Sequence, residues 1–480
     1  MTAGAACDWS LTPVLRIQHR LSSALIASGV LFTLAGCTGA PMAVQEMSAA
    51  ISAELAAAST EAVEPVVLSE GFKYAISSAV KTNAGYRAAS AQEREAVSRV
   101  GVAESVRKPQ LSANVNLGAL REFGSAADTS AGIAGGISLS QMIYDGGGST
   151  AAINRATAEA IGARAERDSL ANLLALEVAR AWIDVWQFDE RLRLLHSRTS
   201  EMETMVGQME RMAANGFSDR AALDSARRQI VDVQLEETRL QADLADAKVR
   251  FTQHFRQTPG RLSLPAELIT PEVLHANVNA WQKAPSLTAR AAALIAARHG
   301  VDEAEAAFGP RIRLQSGLLS PIDVADPSSG NFGLGFDYSF FDGKRRVYQL
   351  KAAIALRASV EDQLREELTK LEAELAAAMA RLSGVERSMP LVAEQIRLSA
   401  SEAETSRSQI ATGQSTLRQL VEAEVDNYRA QDRQIAMLAE RQLLLLSIAA
   451  RTGELGRRIG LQPELPEEER DALNLDRQDQ

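Results

Sequence analysis

Residues 331–343 read NFGLGFDYSFFDG, and this stretch decides the fold. Its large apolar side chains alternate with small or polar ones, and they are Phe332, Leu334, Phe336, Tyr338 and Phe340. Because successive side chains of a strand point to opposite faces, the alternation predicts one apolar, aromatic face and one small, polar face. A strand of about ten residues is long enough to cross a tilted bilayer within a barrel. From Lys344 onward the sequence predicts a very long helix.

Three other stretches share this alternation and predict three further strands. In the first, which follows Pro109, the apolar positions are Leu111, Ala113, Val115, Leu117 and Ala119, and polar positions between them are Ser112, Asn114 and Asn116. In the second, one face carries Ile133, Gly135, Ile137, Leu139 and Ile143. In the third, one face carries Ile312, Leu314 and Leu318. Four strands of this kind in one chain are typical of a membrane barrel wall.

Long helices fill most of the remaining chain. After the second strand, the sequence predicts a proline-free helix from Ser149 to Ala214, which would be roughly 100 Å long. Asn215-Gly216 ends this helix, and another is predicted from Ser218 to Phe255. Ahead of the first strand, Leu68 to Arg107 predicts one continuous helix, which Pro109 ends.

The second half of the chain shows the same order of elements. A helix predicted from Ser286 to Phe308 precedes the third strand, and the helix after the fourth strand continues to Thr412. Gly413 ends it, and a last helix is predicted from Ser415 to about Glu454. Pro390 lies inside the long helix, where we expect a kink because proline lacks the amide donor.

The breaks between these elements match at a constant offset of roughly 200 residues, which is the signature of an internal repeat. The matched pairs are Asp145-Gly146 with Asp342-Gly343 and Gly216-Phe217-Ser218 with Gly413-Gln414-Ser415. Chance similarity between Ala-rich helices would not place strand pairs and breaks in the same order. The sequence therefore predicts two similar halves, joined by the proline-containing connection 259–284.

The composition of the 480 residues argues against several classes of protein. The net charge is −10 and the basic residues are interspersed with acidic ones, so we expect no nucleic-acid partner. The two cysteines, Cys7 and Cys37, do not predict a disulfide framework. No nucleophile has a partner base and the histidines lack the spacing of metal ligands, so we predict no enzyme activity, no metal and no cofactor.

The N-terminal segment predicts export from the cytoplasm. Basic residues around Arg20 precede the apolar run Leu21 to Leu34, which is too short to span a membrane stably and has the form of a secretory signal. The run ends in Leu34-Ala35-Gly36-Cys37, which resembles a bacterial lipobox, in which the cysteine is acylated and becomes the new N-terminus. We predict a signal peptide over 1–36 and a tether over 37–67 that is lipidated at its cysteine. A plain signal peptide with a chance cysteine is the alternative.

The ordered set of helices, strands and glycine breaks resembles the TolC-type outer-membrane export channels. The residues that carry the resemblance are Pro109, the stretch QMIYDGG at 141–147, the stretch AWIDV at 181–185 and the glycine turns at Gly216 and Gly413. The resemblance spans Leu68 to about Leu455. The second turn, in GQSTLRQLVEAEVDNYRAQ, is the closest to the family pattern.

The resemblance implies a homotrimer of a mixed α and β, mostly α fold. Long coiled-coil-like helical hairpins would form an α-barrel, and each protomer would give four membrane strands to a shared trimeric β-barrel. Open strand edges are not tolerated in lipid, and three copies would supply about twelve strands. The two repeats would cover 68–258 and 285–456, and 457–480 would form a charged tail.

The resemblance also implies where partners bind. In the family the glycine turns form periplasmic tips that meet an adaptor protein, and acidic residues after the second turn narrow the entrance. The corresponding tip residues are Gly216, Phe217, Ser218, Gly413, Gln414 and Ser415. The aperture positions fall on Gln419 and Glu422. Gln419 departs from the acidic pattern, so a complete carboxylate ring is not implied, and a solvated helix face is the alternative reading of Glu422.

Together these features predict the passive outer-membrane exit duct of a tripartite export system. It would extend into the periplasm and work with a periplasmic adaptor (a membrane fusion protein) and an inner-membrane pump. The sequence does not choose between multidrug efflux and type I secretion. The alternative is a structural periplasmic coiled-coil lipoprotein of the cell envelope, which helices without membrane strands would favour.

Overall fold

The structure is a computed structural model that describes residues 44–60, 65–121, 129–214, 220–271, 280–320, 328–410 and 417–461. The chain divides into two units, with the boundary after Val63. The first unit contributes one described helix, α1 (Val44–Thr60), and the side chains described on it are exposed. All other elements belong to the second unit. The predicted signal peptide, Cys37 and the chain after Leu461 lie outside the described residues.

The second unit uses one order of helices and strands twice. Its first half contains α2 (Phe72–Thr82), α3 (Ala84–Ser105), β1 (Gln110–Arg121), β2 (Thr129–Tyr144), α4 (Gly148–Ala214) and α5 (Arg220–Phe255). Its second half contains a 3-10 helix (Ala280–Lys283), α6 (Pro285–Ala306), β3 (Arg311–Ser320), β4 (Ser329–Asp337), α7 (Arg345–Ile410), α8 (Leu417–Arg451) and α9 (Glu454–Arg458). The long helices begin and end close to the predicted residues, which confirms the mostly helical fold class.

The predicted continuous helix from Leu68 to Arg107 is wrong. It is two helices, because Asn83 has an extended backbone with φ −67° and ψ 132°. The Asn83 side chain accepts hydrogen bonds from the backbone amides of Gly85 (2.8 Å) and Tyr86 (3.4 Å). Asparagine is a preferred N-cap because it satisfies amides that have no partner inside the helix. Asn83 therefore ends α2 and starts α3 without a glycine or proline.

The two longest helices, α4 and α7, hold the helical part together. Near its start α4 packs on α3 and α6, where Arg155 Nη1 lies 3.2 Å from Glu303 Oε2. Further along it packs on α5 and α8, and His196 Nε2 lies 2.9 Å from Glu237 Oε1. Helix α7 packs on α6 and α8. It continues through Pro390 without a break, and the kink expected there stays a prediction.

The core centres on aromatic rings from three helices. Trp182 of α4 is in edge or tilted contact with Phe72, Phe251 and Phe255, at centroid distances of 5.5, 6.0 and 5.9 Å. Phe251 and Phe255 stack on each other at 4.2 Å. The indole nitrogen of Trp182 donates to the carbonyl oxygen of Ser263 at 3.1 Å, so the core also fixes the connection between the halves.

The four strands form one antiparallel sheet in the order β1-β2-β3-β4. Strand β4 is shorter than the alternation predicts, because it ends at Asp337 and leaves Tyr338 and Phe340 outside the sheet. The last pair of the β3–β4 ladder is Arg311 with Asp337. Pro310 precedes this pair, and a proline has no amide to donate to a further rung. The ring of Tyr338 packs edge-on against Phe340 instead, with a centroid distance of 5.0 Å.

Strand β2 also departs from strict alternation. Its register against β3 shifts between Met142 and Tyr144, so Tyr144 lies opposite Ile312. The strict alternation predicted through Ile143 therefore ends at Met142. A bulge inserts one extra residue and moves all later side chains to new positions, which the alternation of apolar residues does not reveal.

Gly453, just after α8, packs against Pro285 at the start of α6, and a substitution can test this contact. Gly453 has φ +79°, and a Cβ atom built there would lie 2.8 Å from Cδ of Pro285 at the start of α6. Gly460 has φ +72° but no atom within 4 Å of such a Cβ. Both Gly→Ala substitutions should cost about 1–2 kcal/mol for the left-handed backbone, and Gly453→Ala should cost more because of the clash.

The matched pair is compared by the thermal unfolding midpoint of the purified protein. We expect Gly453→Ala to unfold at a lower temperature than Gly460→Ala. Equal midpoints for the two variants would contradict the contact between Gly453 and Pro285.

Candidate functional site

The register places most of the apolar side chains of the four strands on one face of the sheet. Directly opposed pairs on this face are Leu111 with Leu139, Ile137 with Leu318, Leu314 with Leu334 and Ile312 with Phe336. Most of this face is open, and Phe332 is 79% exposed. A contiguous apolar patch of this kind on a single chain marks a surface that meets lipid or another protein. We call it the apolar sheet face.

The opposite face carries polar side chains and glycines, and we call it the polar sheet face. The hydroxyls of Ser112 and Ser138 are hydrogen-bonded across β1 and β2 at 2.7 Å. Elsewhere a polar side chain lies over a glycine of the next strand: a Cβ atom at Gly317 would be 2.7 Å from Oδ1 of Asn331, and one at Gly136 would be 2.9 Å from Oδ1 of Asn114. The glycines therefore give the polar side chains room to lie flat.

Strands β1 and β4 are the two edges of the sheet, since each pairs with only one other strand among the described residues. An edge strand presents unpaired amide and carbonyl groups along one side. In a membrane such groups must be paired, because lipid offers no hydrogen bonds. The sheet of one protomer is thus incomplete as a membrane structure.

At the other end of the long helices, the predicted aperture residues lie on the first turns of α8. Gln419 and Glu422 are exposed there. Glu422 Oε1 is 3.8 Å from Nε of Arg418 one turn earlier, and both side chains are largely exposed, so the pair contributes little to stability. The predicted tip residues Gly216, Phe217, Ser218, Gly413, Gln414 and Ser415 lie outside the described residues.

Glu424, near this end, is a carboxylate whose burial sequence reasoning missed. Its side chain is only 5% exposed, and its oxygens lie 2.5 Å from Nη2 of Arg407 on α7 and 3.8 Å from Nη1 of Arg198 on α4. The available signal was its position on the apolar stripe of α8, four residues after Leu420 and four before Tyr428, both of which are buried. Glu424 therefore ties α8 to two other helices instead of pointing into an opening.

A second polar contact joins three helices further from the tips. Arg191 of α4 donates to Asp432 of α8 through Nε (2.6 Å) and Nη2 (3.1 Å), and its Nη2 lies 3.7 Å from Glu236 of α5. The neighbouring Tyr428 is buried, and this burial, together with the negative charges of Asp432 and Glu236, raises the pKa of its phenol. The phenol therefore stays neutral at physiological pH, and the charge of Arg191 is balanced by carboxylates.

Within the described part of the chain, each helix is too short or too polar to cross a membrane.

A mostly helical chain whose long paired helices lead into a small antiparallel sheet has the architecture of the TolC-type channel proteins. Known structures share it, among them those of CusC and VceC. The solved structure of CusC covers 79% of this chain and 91% of its own, with a TM-score of 0.69 and 17% identity. That of VceC from Vibrio cholerae covers 79% of this chain and 95% of its own, with a TM-score of 0.68 and 16% identity.

The chain belongs to the outer membrane efflux protein family, whose sequence model matches residues 75–254 and 278–454. The chain is also 25% identical over 334 residues to the outer membrane efflux protein BepC of Brucella suis. This alignment covers 66% of this chain and 72% of BepC. The predicted family and the predicted function as an outer-membrane efflux duct are confirmed, and the family and fold are those of channel proteins.

Proposed function

We propose that three copies of this chain assemble into one passive duct across the outer membrane and the periplasm. The observation that carries the proposal is the alignment of four strands into a sheet with one exposed apolar face and one polar face. In a closed barrel the apolar sheet face would meet lipid and the polar sheet face would line the lumen. The edges β1 and β4 would pair with neighbouring copies, which gives about twelve strands in all.

The long helices supply the periplasmic part of this duct. Helices α4 and α7 have 67 and 66 residues, and each would be roughly 100 Å long. The alternative function, a structural coiled-coil lipoprotein, predicts helices without membrane strands. The sheet with its exposed apolar face favours the duct.

The partners we propose are an inner-membrane pump and a periplasmic adaptor that docks on the tips around Gly216 and Gly413. A glycine turn between two helices needs a backbone conformation that β-branched residues avoid, so Gly413→Val should distort the tip at a cost of about 1–3 kcal/mol. We expect trimers to form in normal yield and export to be lost. Export is measured alongside cross-linking of the adaptor to the tip, and normal export would contradict the tip assignment.

We also propose that Glu422 sets the charge of the entrance. The Glu422→Ala variant should still dock the adaptor but change conductance or ion selectivity, because a fixed charge is lost at a narrow opening. The matched control is Asp426→Ala, one turn further along α8 and also exposed, with Oδ1 3.6 Å from Nη1 of Arg429. Recording in planar bilayers compares the two, and an unchanged conductance in Glu422→Ala would remove the aperture role.

The N-terminal anchor is proposed from the Leu34-Ala35-Gly36-Cys37 motif. Cleavage before Cys37 and acylation of its sulfur would tether each protomer to the outer membrane in addition to the barrel. Intact-mass measurement of the mature protein is the test, and an unmodified Cys37 would refute the anchor.

A further inference from the structure

The polar sheet face carries its charges at one end. Within the four strands, the charged side chains on this face are those of Arg311 and Arg313 at the start of β3 and of Asp337 at the end of β4. The rest of the face is formed mainly by serine, asparagine, glutamine and glycine residues. Because β3 follows α6 and β4 leads into α7, the charges lie where the sheet joins the long helices.

A cavity of about 510 Å³ at this junction adds a further arginine to the group. Its lining includes Arg311 and Asp337 from the sheet and Arg345 from the first turn of α7. Asp337 is the only carboxylate among the lining residues. The junction is therefore cationic, in a protein whose net charge is −10.

Arg346 also lines the cavity, but its charge is used within the chain. Its Nε donates to Oδ2 of Asp342 at 2.8 Å, and its Nη2 donates to the carbonyl oxygen of Ser339 at 2.6 Å. Its guanidinium also lies over the ring of Phe308, 5.3 Å from the centroid. These contacts fix the segment between β4 and α7, and the ion pair with Asp342 neutralises the charge of Arg346.

The guanidinium groups of Arg311, Arg313 and Arg345 are different. In the part of the chain that the structure describes, none of the three forms an ion pair or a hydrogen bond with another side chain. Arg311 is opposite Asp337 in the register, yet no ion pair joins these two described residues. Arg313 is half-buried, and its buried Nε has no hydrogen-bond partner among the described residues. The positive charges at this level are thus largely uncompensated.

We propose that Arg311, Arg313 and Arg345 form a cationic belt around the inside of the barrel, which makes this end of the duct selective for anions. The proposal rests on the trimeric barrel proposed above, in which the polar sheet face lines the lumen. Each of the three copies would contribute three arginines to the belt, against the one carboxylate of Asp337. The cargo that the belt favours is anionic.

The width of such a barrel lets the belt act across the lumen. Twelve strands spaced about 4.8 Å apart and tilted by about 40° close into a barrel with a radius of about 12 Å. The Debye length is about 10 Å at 0.1 M salt, so charges that project inward from the wall reach most of the lumen at this salt concentration. The preference for anions should therefore grow as the salt concentration falls.

The test uses the full-length protein, purified and inserted into planar bilayers. The reversal potential in a KCl gradient at or below 0.1 M gives the ratio of chloride to potassium permeability. The double variant Arg311→Gln, Arg345→Gln should lower this ratio about twofold or more. Asp337→Asn should raise the ratio, because it removes the carboxylate that opposes the belt.

Two further variants secure the comparison. Arg357→Gln replaces an exposed arginine further along α7, outside the cavity lining, and should leave the permeability ratio unchanged. Arg345→Gln alone takes the place of the double variant if the latter yields no trimers, since Arg345 is exposed and its side chain has no hydrogen-bond partner among the described residues.

The outcomes separate a failure of the belt from a failure of the duct. Opposite shifts of the permeability ratio in the arginine and aspartate variants support the belt. Currents with the same ratio in all variants overturn the belt alone. A shift in Arg357→Gln as large as that in the arginine variants also overturns it, because net charge would then set the selectivity. A bilayer that stays silent with the unmodified protein overturns the duct and the belt together.

Discussion

Phe332→Arg should abolish assembly of the trimer, whereas Asn331→Arg should leave most of it intact. Phe332 belongs to the apolar sheet face, opposite Ser316 near the middle of β4, and its side chain is 79% exposed. An arginine that faces lipid at the bilayer midplane costs about 2–4 kcal/mol, and a trimer would carry three of them. Asn331 is the next residue and belongs to the polar sheet face, where a cation would meet water.

The yield of heat-resistant trimer on denaturing gels, with and without boiling, measures this difference. Asn331→Arg carries its own cost, since its side chain lies over Gly317, so it is expected to lower the yield somewhat. Equal yields from the two variants would show that the faces of β4 are assigned the wrong way or that β4 does not lie in lipid.

Trp182→Ala should be the most destabilising single change in the helical part. Trp182 is 7% exposed and contacts the rings of Phe72, Phe251 and Phe255. Removal of a buried tryptophan side chain leaves a cavity and typically costs about 3–5 kcal/mol. The substitution also removes the hydrogen bond from Trp182 to the carbonyl oxygen of Ser263, which fixes the connection between the halves to the core.

Chemical denaturation of the purified protein tests this expectation, and two variants give the comparison. Trp182→Phe keeps a ring but loses the donor, so its free energy of unfolding should fall between those of Trp182→Ala and the unmodified protein. Leu173→Ala lies on the same helix at a position that is about half exposed and should change little. A Trp182→Ala variant as stable as Leu173→Ala would mean that the aromatic cluster does not stabilise the packing of α2, α4 and α5.

The alternation of side chains was enough to predict the sheet, because most positions on each face are of one kind. Apolar residues at every second position specify which face is apolar, and the observed register then brings the four apolar faces together. The end of β4 is set by Pro310, which the alternation does not include. Pro310 precedes the neighbouring strand β3, and β4 ends at Asp337. A charge at Phe332, near the middle of β4, should therefore cost more than one at Phe336, next to the end of the strand.

Helix breaks were predicted where glycine or proline marks them and missed where a polar side chain makes them. Asn83 ends α2 through two hydrogen bonds to following amides, which depend on its backbone conformation rather than on its residue type alone. The burial of Glu424 was missed for a related reason. Its two arginine partners lie 17 and 226 residues away along the chain, so only the fold brings them to it.

The central claim is that the assembled chain is a passage through the outer membrane. Conductance of the purified protein in a planar lipid bilayer tests it most directly. We predict stepwise current, one step for each inserted trimer, without pump or adaptor. A bilayer that stays electrically silent, although the same preparation contains heat-resistant trimers that have inserted, would contradict the duct.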